Sequence, residues 1–381
     1  MNKFIFTILS GSVLSSTVFA GETPATYVSD DNLTNVHNRC IVRFSNDLES
    51  EHVTGLARAF AAQSGASIRH IYKHSIKGFA VNMPCAAANA AFGHDSYIES
   101  LSPDGVVSIN KRRPKDPGGD AGTSDPQEVS YGTDRVGGSV DGKGNTAWVI
   151  DSGIDLDHPD LNVDSSRGFS AITSKGVADQ NDQNGHGTHV AGTIAAKDNT
   201  IGSLGVAANA TVVPVRVLDR RGSGSISGVI AGIDHVAANA DPGDCANMSL
   251  GGGVSTALDA AVVKAAEASG AFFVLAAGNS GDDVNNHSPA RVNGSNIWTI
   301  SAVDINDNMP SWSNYGSSVD YAAPGVNIFS LWKNGETNTI SGTSMAAPHA
   351  CAVIMMSYGD PYSDGDAVNN PDGNAYPIIS F

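Results

Sequence analysis

The chain has 381 residues, of which 41% are hydrophobic and 16% are charged, and this length allows one large core and a smaller second domain. Its 22 basic and 39 acidic residues give a formal net charge of -17, which argues against a nucleic-acid partner. The low charged fraction and the 42 glycines indicate a loop-rich globular protein rather than a disordered one.

The first twenty residues have the three-part pattern of a secretory signal peptide. Lys3 precedes an apolar run, and small residues close the segment at Ala20. Because this run is too short to span a bilayer, we expect cleavage and secretion rather than membrane anchoring, and no later stretch has the pattern of a span. The alternative is a short buried N-terminal helix.

Residues 39 to 110 have the pattern of a small α+β unit. The predicted elements are a strand at 40–44, a helix at 48–64, hairpin strands at 67–73 and 78–83, a helix at 86–92 and a last strand within 97–109. The order βαββαβ is that of a ferredoxin-like fold. The following segment, 111–126, is rich in charge, Gly and Pro, so it is predicted to be an exposed, cleavable linker at a domain boundary.

Beyond the linker, short apolar strands alternate with longer helical patterns. The predicted strands are 147–150, 211–217, 247–250, 272–276 and 297–303, and the predicted helices are 187–196, 225–240 and 257–269. Strands without a polar face, separated by helices, indicate an α/β fold with a parallel sheet covered on both sides. In such sheets the functional residues gather at the carboxyl ends of the strands.

Four cysteines are too few for a disulfide scaffold in a chain of this length. Cys40 and Cys85 lie in the N-terminal part, whereas Cys245 and Cys351 lie in the C-terminal part, so an oxidising compartment permits one bond in each part. A bridge between Cys245 and Cys351 and a pair of buried free thiols both remain open.

Three polar residues lie where the predicted strands end or a helix begins. Asp151 follows the strand 147–150, His186 opens a helix between two glycines, and Asn279 ends an apolar segment. Each also has an ordinary structural explanation, as a loop cap, a helix cap or a turn residue. His189 is predicted to pack behind the site.

Ser344 stands in a turn of small residues before a helical segment. Backbone N–H groups and the helix dipole can stabilise an anion that forms beside such a hydroxyl. The alternative for this serine is a plain helix N-cap.

Three segments carry a resemblance to a known family. They are VIDSGID at 149–155, NGHGTHVAGT at 184–193 and GTSMAAPH at 342–349, and they place Asp151, His186 and Ser344 in the chain order of subtilisin. The region from 126 to 350 thus resembles the subtilisin family of serine peptidases. The resemblance implies a subtilisin-like, mostly parallel sheet with helices on both faces, and 39–110 resembles the inhibitory ferredoxin-like propeptide of that family.

The resemblance also implies a role for each group. Ser344 would be the nucleophile, His186 the general base and acid, and Asp151 the carboxylate that orients the imidazole. The side-chain amide of Asn279 and the backbone N–H of Ser344 would stabilise the oxyanion. The implied activity is hydrolysis of peptide bonds in proteins through an acyl-enzyme, without a catalytic cofactor. The competing hypothesis is a catalytically silent relative that only binds peptides.

Nine residues resemble the family's substrate-binding segments. Two segments would pair with an extended peptide and a third would form the wall of an uncharged pocket that prefers apolar or aromatic side chains. Ile226 stands where many relatives have an aromatic residue, and it would reshape a pocket further along the groove. The nine residues are Gly222, Ser223, Gly224, Ser249, Leu250, Gly251, Ala276, Ala277 and Gly278.

A further set resembles the tight structural calcium site of the family. Hard oxygen ligands from distant chain positions suit Ca2+, although solvated polar loop residues would give the same pattern. Asp320 resembles a weaker calcium position. The set comprises the side chains of Gln127, Asp160 and Asn199 and the carbonyls of Lys197, Ile201 and Ser203.

These expectations divide the chain into four parts. Residues 1–20 are a signal peptide, 21–110 a propeptide that acts as intramolecular chaperone and inhibitor, 111–126 a linker, and 127–381 the catalytic domain. The expected product is a secreted monomer that acts on proteins or peptides, with no nucleic-acid or membrane partner. After His349 the sequence departs from the family into a shorter helix and a polar tail, which we expect to reduce the contacts behind Ser344.

Overall fold

The computed structural model describes residues 33–109, 126–174 and 177–381. The predicted signal peptide and all of the predicted linker except Pro126 lie outside the described residues. Among the described residues, no helix has both the length and the apolar character that crossing a bilayer requires.

An N-terminal unit precedes the linker and has the predicted βαββαβ order. It contains a 3-10 turn at Leu33–Asn38, strands Cys40–Phe44, Ile68–Tyr72, Gly78–Val81 and Ile98–Pro103, and helices Ser50–Ser64 and Cys85–Phe92. The strands form one antiparallel sheet in which the first strand is central, between the third and the last. This is the ferredoxin-like arrangement that the pattern predicts.

Phenylalanine side chains fill the core between this sheet and its two helices. Phe44, Phe60, Phe79 and Phe92 are buried, and their ring centroids lie 5.1 to 6.1 Å apart. A disulfide joins Cys40 to Cys85 and so ties the central strand to the second helix.

The predicted last strand, 97–109, is two strands rather than one. Ile98–Pro103 completes the sheet of the N-terminal unit, and Val106–Ser108 leaves it and pairs with Ser223–Ser225 and Gly251–Gly253 of the C-terminal part. The chain turns at Asp104, whose carboxylate accepts hydrogen bonds from the backbone N–H and the hydroxyl of Ser227 at 2.9 and 2.6 Å. These contacts lie 123 residues away in the chain, which is why a local pattern does not reveal the break.

A ten-stranded sheet forms the centre of the C-terminal part, which follows the predicted linker. The described strands of this sheet run side by side in the order Tyr362–Asp366, Pro377–Ser380, Tyr321–Pro324, Ile297–Val303, Phe272–Ala276, Cys245–Met248, Thr146–Asp151, Thr211–Arg216 and Asn162–Val163, with Phe169–Ser170 also pairing with Thr211–Arg216. All neighbouring pairs are parallel except the outermost pair at the C-terminal end of the chain. The predicted parallel sheet is confirmed.

Helices cover both faces of this sheet. His186–Ala195 and Thr343–Met356 pack on one face, and Ile226–Asn239 and Thr256–Ser269 pack on the other. Alternate residues of Thr146–Asp151 belong to the two separate apolar clusters, because successive side chains of a strand point to opposite faces.

Shorter elements complete the fold. They include the helix Tyr131–Arg135 and a 3-10 turn at Val284–Asn286. The remaining short strands are Val140–Asp141, Thr173–Ser174, Val177–Ala178, Ala207–Ala208, Ser223–Ser225, Gly251–Gly253, His287–Ser288, Ile328–Trp332 and Glu336–Ile340.

The C-terminal tail differs from the expected polar extension. The helix Thr343–Met356 is 14 residues long, and the strands Tyr362–Asp366 and Pro377–Ser380 then extend the central sheet. Ile378 and Ile379 are fully buried, so the tail contributes to the core. A disulfide between Cys245 and Cys351 ties this helix to a central strand.

Candidate active site

Asp151 and His186 form a close pair at the carboxyl edge of the sheet. His186 Nδ1 lies 2.9 Å from each carboxylate oxygen of Asp151, and both side chains are buried. Asp151 is the last residue of the strand Thr146–Asp151, whereas the sequence pattern placed it directly after the strand. The backbone N–H of Ser152 donates to Asp151 Oδ1 at 2.6 Å and helps to fix the carboxylate.

Glycines around His186 allow this approach. Gly185 is the N-cap of the helix His186–Ala195 and has φ 108°, a conformation that favours glycine. A Cβ atom on Gly187 would lie 2.0 Å from the carbonyl oxygen of Gly153, so a side chain there would force the helix away from the strand. The glycines that identified the segment in the sequence are therefore needed for its packing.

Ser344 lies in the first turn of the helix Thr343–Met356. Its hydroxyl donates to the carbonyl of Ser249 at 3.2 Å, and the Ser249 hydroxyl donates to the carbonyl of Ser344 at 2.9 Å. These two bonds connect the helix start to the end of the strand Cys245–Met248.

The Asn279 side chain is oriented by Thr343. Asn279 Oδ1 accepts hydrogen bonds from the backbone N–H and the hydroxyl of Thr343, both at 2.9 Å. A Cβ atom on Gly342 would lie 3.2 Å from Asn279 Nδ2 and 3.6 Å from the backbone nitrogen of Ser344. The glycine thus leaves open a space that both nitrogens border, and this is the arrangement an oxyanion hole requires.

Two other histidines near the site are buried and neutral. His189 Nε2 lies 3.0 Å from the carbonyl of Ile328, and burial lowers the pKa of His189 to about 3. Burial likewise lowers the pKa of His349 to about 4. The packing role predicted for His189 agrees with this position.

The groove beside the site contains a segment of the chain itself. Val106–Ser108 lies between Ser223–Ser225 and Gly251–Gly253 and is antiparallel to both. Ile109 continues this pairing, since its N–H donates to the carbonyl of Gly222 at 3.0 Å. The structure therefore brings the two predicted peptide-pairing segments together around a strand, although the sequence pattern assigned that strand to the N-terminal sheet.

A pocket opens between this strand and Ser344. The predicted wall, Ala276, Ala277 and Gly278, lines it together with Asn279 and Leu250. His287 and Ser288 also line the pocket, and His287 Nε2 lies 3.1 Å from Asp282 Oδ2. These two polar residues make the pocket less apolar than expected. The sequence analysis did not include them because they come from a loop outside the three predicted segments.

Ile226 borders the other end of the groove. It is buried in the same apolar cluster as Val107 and Leu250, and a Cβ atom on Gly105 would lie 2.8 Å from Ile226 Cδ1. This position agrees with a subsite for an aliphatic side chain.

The predicted calcium ligands lie together around the buried carboxylate of Asp160. Asp160 accepts hydrogen bonds from Asn199 Nδ2 at 2.6 Å and from the Ser203 N–H at 3.0 Å. Gln127 Nε2 donates to the carbonyls of Lys197 and Ser203 at 2.6 and 3.1 Å. The N–H of Ile201, in the same loop, donates to Asn199 Oδ1 at 2.7 Å.

This donor set fits a calcium ion. Half a turn of the Gln127 amide would exchange nitrogen for oxygen and direct its Oε1 at the point that the Lys197 and Ser203 carbonyls face. Gly202 has φ 65°, and a Cβ atom there would lie 2.5 Å from Asp160 Oδ2, so the glycine keeps the centre clear. Among the described residues no three His, Cys, Asp or Glu side chains form a metal cluster, and the predicted set contains only one carboxylate.

Gln127 contacts the loop 197–203 in the uncut chain, where its N–H donates to the Thr200 carbonyl at 3.1 Å. The Asp320 carboxylate accepts a hydrogen bond from the Thr299 N–H at 2.8 Å rather than from a residue of this set, and burial raises the pKa of Asp320 to about 6.

Sequence reasoning missed Asp182, which lies four residues before His186. The carboxylate of Asp182 is buried and accepts several hydrogen bonds next to the Asp151–His186 pair. Burial raises the pKa of Asp182, and hydrogen bonds from Gly185 and Thr188 oppose that effect. The signal that could have found it is an acidic residue just before a glycine-rich catalytic motif.

Comparisons with known proteins agree with this geometry. The model of the subtilase family matches residues 142–360. An alkaline serine exoprotease A of Vibrio alginolyticus is 43% identical over 301 residues, which are 76% of this chain and 53% of that protein. An extracellular serine proteinase of a Thermus species is 42% identical over 310 residues, which are 77% of this chain and 70% of that protein.

The fold also matches a solved structure. A crystal structure of a cold-adapted subtilisin-like serine proteinase superimposes with a TM-score of 0.59 at 40% identity, covering 66% of this chain and 97% of that one. The fold is therefore subtilisin-like. The chain belongs to the subtilase family of serine peptidases, and it spans about half the length of the Vibrio relative.

Proposed function

We propose that the protein is a secreted serine endopeptidase, made as a precursor that cuts itself. The observation that carries this proposal is the strand Val106–Ser108, which occupies the groove as an extended peptide and leads toward Ser344. The name of the Thermus relative, an extracellular serine proteinase, supports secretion and a serine peptidase activity.

In the proposed reaction, the Ser344 hydroxyl attacks a peptide carbonyl. Nε2 of His186 accepts the proton of this hydroxyl and returns it to the leaving amine. Asp151 keeps the proton on Nδ1 and stabilises the imidazolium without itself becoming protonated. The Asn279 amide and the Ser344 N–H bind the oxyanion, and water then releases the acyl group.

The register of the groove strand predicts the first cut. Ser108 lines the pocket beside Ser344, and side chains two positions apart share one face of a strand. A peptide bound in this register would therefore present to the pocket the side chain two positions after Ser108. We expect Ser344 to attack the carbonyl of the corresponding residue, Asn110, and to cleave the bond between Asn110 and Lys111.

The N-terminal unit is the proposed inhibitor and chaperone of the catalytic part. The Tyr72 hydroxyl donates to the carbonyl of Ser227, in the first turn of the helix Ile226–Asn239, at 3.0 Å. The Asp104 carboxylate accepts from the backbone N–H of the same serine. After cleavage these contacts would keep the new carboxyl end in the groove. Further cuts within 111–126 would then bring the new N-terminus to Gln127, after which 127–381 would be the active domain.

When bound, calcium would cross-link the loop 197–203 to Asp160 and Gln127. Its proposed role is structural, since the set lies apart from the Asp151–His186 pair. The proposal includes no catalytic cofactor.

The experiment is expression of the full chain with and without Ser344→Ala, followed by N-terminal sequencing over time. The wild type should first give a product that begins at Lys111, and Ser344→Ala should remain uncut. Ser341→Ala is the matched control from the same segment and should process normally. Equal cleavage in Ser344→Ala and in wild type would refute self-processing, and an uncut wild type that binds peptides would support the silent alternative.

A further inference from the structure

Asp182 connects the two members of the candidate catalytic pair through hydrogen bonds. Its carboxylate accepts five hydrogen bonds, and all five donors are neutral amide or hydroxyl groups. The donors are the Ser152 hydroxyl at 2.9 Å, the N–H groups of Asn184, Gly185 and Thr188 at 2.8, 2.9 and 3.0 Å, and the Thr188 hydroxyl at 2.7 Å.

One branch of this network leads to Asp151. The Ser152 hydroxyl donates to Asp182 Oδ1, and the Ser152 backbone N–H donates to Asp151 Oδ1 at 2.6 Å. Ser152 therefore has its side chain fixed by one carboxylate and its backbone bound to the other. A shift of Asp182 would turn Ser152 and move the N–H that orients Asp151.

The other branch leads to His186. Asp182 binds the N–H groups of Gly185 and Thr188, which lie on either side of His186 in the first turn of its helix. The Ser152 hydroxyl also accepts from the Gly187 N–H at 3.0 Å, which closes the network. The backbone that carries the imidazole is thus fixed to the same carboxylate as the residue beside Asp151.

The charge of Asp182 suits this position. The carboxylate lies at the N-terminus of the helix His186–Ala195, where the helix dipole favours a negative charge. Hydrogen bonds to an ionised acceptor are shorter and about twice as strong as neutral ones. Because Asp182 is only 5% exposed, water cannot easily replace the five donors when the carboxylate is lost.

We propose that Asp182 is a positioning residue for the reaction, which fixes the relative placement of Asp151 and His186 through Ser152 and the first turn of the helix. This inference rests on the proposed function. Asp182 does not touch the substrate in this role, and it acts only through the two residues it aligns.

The test compares Asp182→Asn with Asp179→Asn in the full chain after maturation. Asp179 lies in the same loop, but its carboxylate binds Arg216 and other loop groups rather than Ser152. Active sites are counted by titration with a serine-reactive phosphonate, and kcat and KM are measured on a peptide anilide. We expect Asp182→Asn to lower kcat per titrated site about 10- to 100-fold with KM within about twofold, because small misplacements of reacting groups cost about this much. Asp179→Asn should match wild type in both constants.

A double-mutant cycle with Ser152→Ala tests the route of the effect. If Asp182 acts through Ser152, the double variant should lose much less activity than the product of the two single losses. If the loss of activity in the double variant equals the product of the two single losses, Asp182 does not act through Ser152. A wild-type kcat per site in Asp182→Asn would overturn the inference. A purely structural role would lower the melting temperature and the number of titrated sites while leaving kcat per site unchanged.

Where Asp182→Asn does not mature, the first-order rate of its own cut is measured in the full-length precursor, with Ser152→Ala as the second variant. A wild-type rate in both would again overturn the inference. Ser344→Ala separates this failure from that of the proposed function. If Ser344→Ala is inactive and Asp182→Asn is fully active, only the positioning role fails, whereas activity in Ser344→Ala would refute the proposed function itself.

Discussion

Asp234 accepts hydrogen bonds from both the backbone N–H and the hydroxyl of Ser75, at 2.7 and 2.9 Å, and so joins the catalytic part to the N-terminal unit. The N–H groups of Lys73 and His74 donate to the same carboxylate at 3.0 and 2.7 Å. One side chain on the helix Ile226–Asn239 therefore binds a whole turn of the N-terminal unit. This contact is independent of the groove strand Val106–Ser108.

We predict that Asp234→Ala weakens inhibition without weakening catalysis. Removing the carboxylate leaves four buried or half-buried donors without their acceptor, so the N-terminal unit should dissociate about 10-fold faster or more after the first cut. The measurement is the time course of activity released from the processed full chain. Glu267→Gln, on the neighbouring helix, is the control and should release at the wild-type rate. An unchanged time course in Asp234→Ala would contradict the prediction.

Asn279 and Thr343 give a prediction for the oxyanion hole. Asn279→Leu keeps the volume of the side chain but removes its N–H donors, so kcat should fall about 100- to 1,000-fold with little change in KM. Thr343→Val should lower kcat by about 10-fold, because the valine cannot donate to Asn279 Oδ1. Thr343→Ser keeps the hydroxyl and serves as the control. Equal rates for the valine and serine variants would show that Thr343 does not orient the amide.

The calcium proposal predicts a loss of stability in chelator. A ligand present at 100 times its Kd stabilises the folded state by about 2.7 kcal/mol, which is about 5 to 10 °C in a domain of this size. Asp160→Asn should remove the difference between melting curves in calcium and in chelator. Asp198→Asn changes an exposed carboxylate in the same loop and should retain that difference. Identical wild-type curves in the two buffers would refute the site.

Asp160 also predicts an unusual pH dependence in the absence of calcium. Burial raises the pKa of Asp160 to about 6, above that of an aspartate in the unfolded chain. The folded state therefore binds the proton first, so the contribution of Asp160 to stability grows as the pH falls from about 7 to about 4.

The measurement is the free energy of unfolding in chelator at several pH values. The difference between wild type and Asp160→Asn isolates this carboxylate from Asp320, whose pKa burial also raises to about 6. The wild type should approach the stability of the variant as the pH falls. A difference that stays constant across this range would contradict the prediction.

Elements with a strong local pattern were predictable from the sequence. The strands Phe272–Ala276 and Ile297–Val303 have the predicted bounds, because continuous apolar runs between turn residues leave little choice of strand ends. The pair of Asp151 and His186 was predictable as well, because the segments around both residues resemble motifs of the subtilisin family. Helix starts differ by one or two residues, as for Ser50–Ser64, where capping decides the end.

Features that depend on distant contacts were not predictable. The sequence of Val106–Ser108 is compatible with pairing in either sheet. It leaves the N-terminal sheet because it pairs with the two groove strands, which are distant in the chain. The five bonds of Asp182 come from residues 152 to 188, so no single segment reveals them. Four cysteines allow three pairings, and spacing alone does not choose among them. The tail entered the sheet because the edge strand Tyr321–Pro324 offered it backbone partners.

The most direct test of the account is covalent labelling of the processed protein with a serine-reactive fluorophosphonate, followed by mass spectrometry of the labelled peptide. We predict one label, on Ser344 of the wild type, that is absent in Ser344→Ala and strongly slowed in His186→Ala when an added protease has cut both variants within 111–126. A processed, folded protein that takes no label on Ser344, or an equal rate of labelling in His186→Ala, would contradict the proposal that these residues form a catalytic triad.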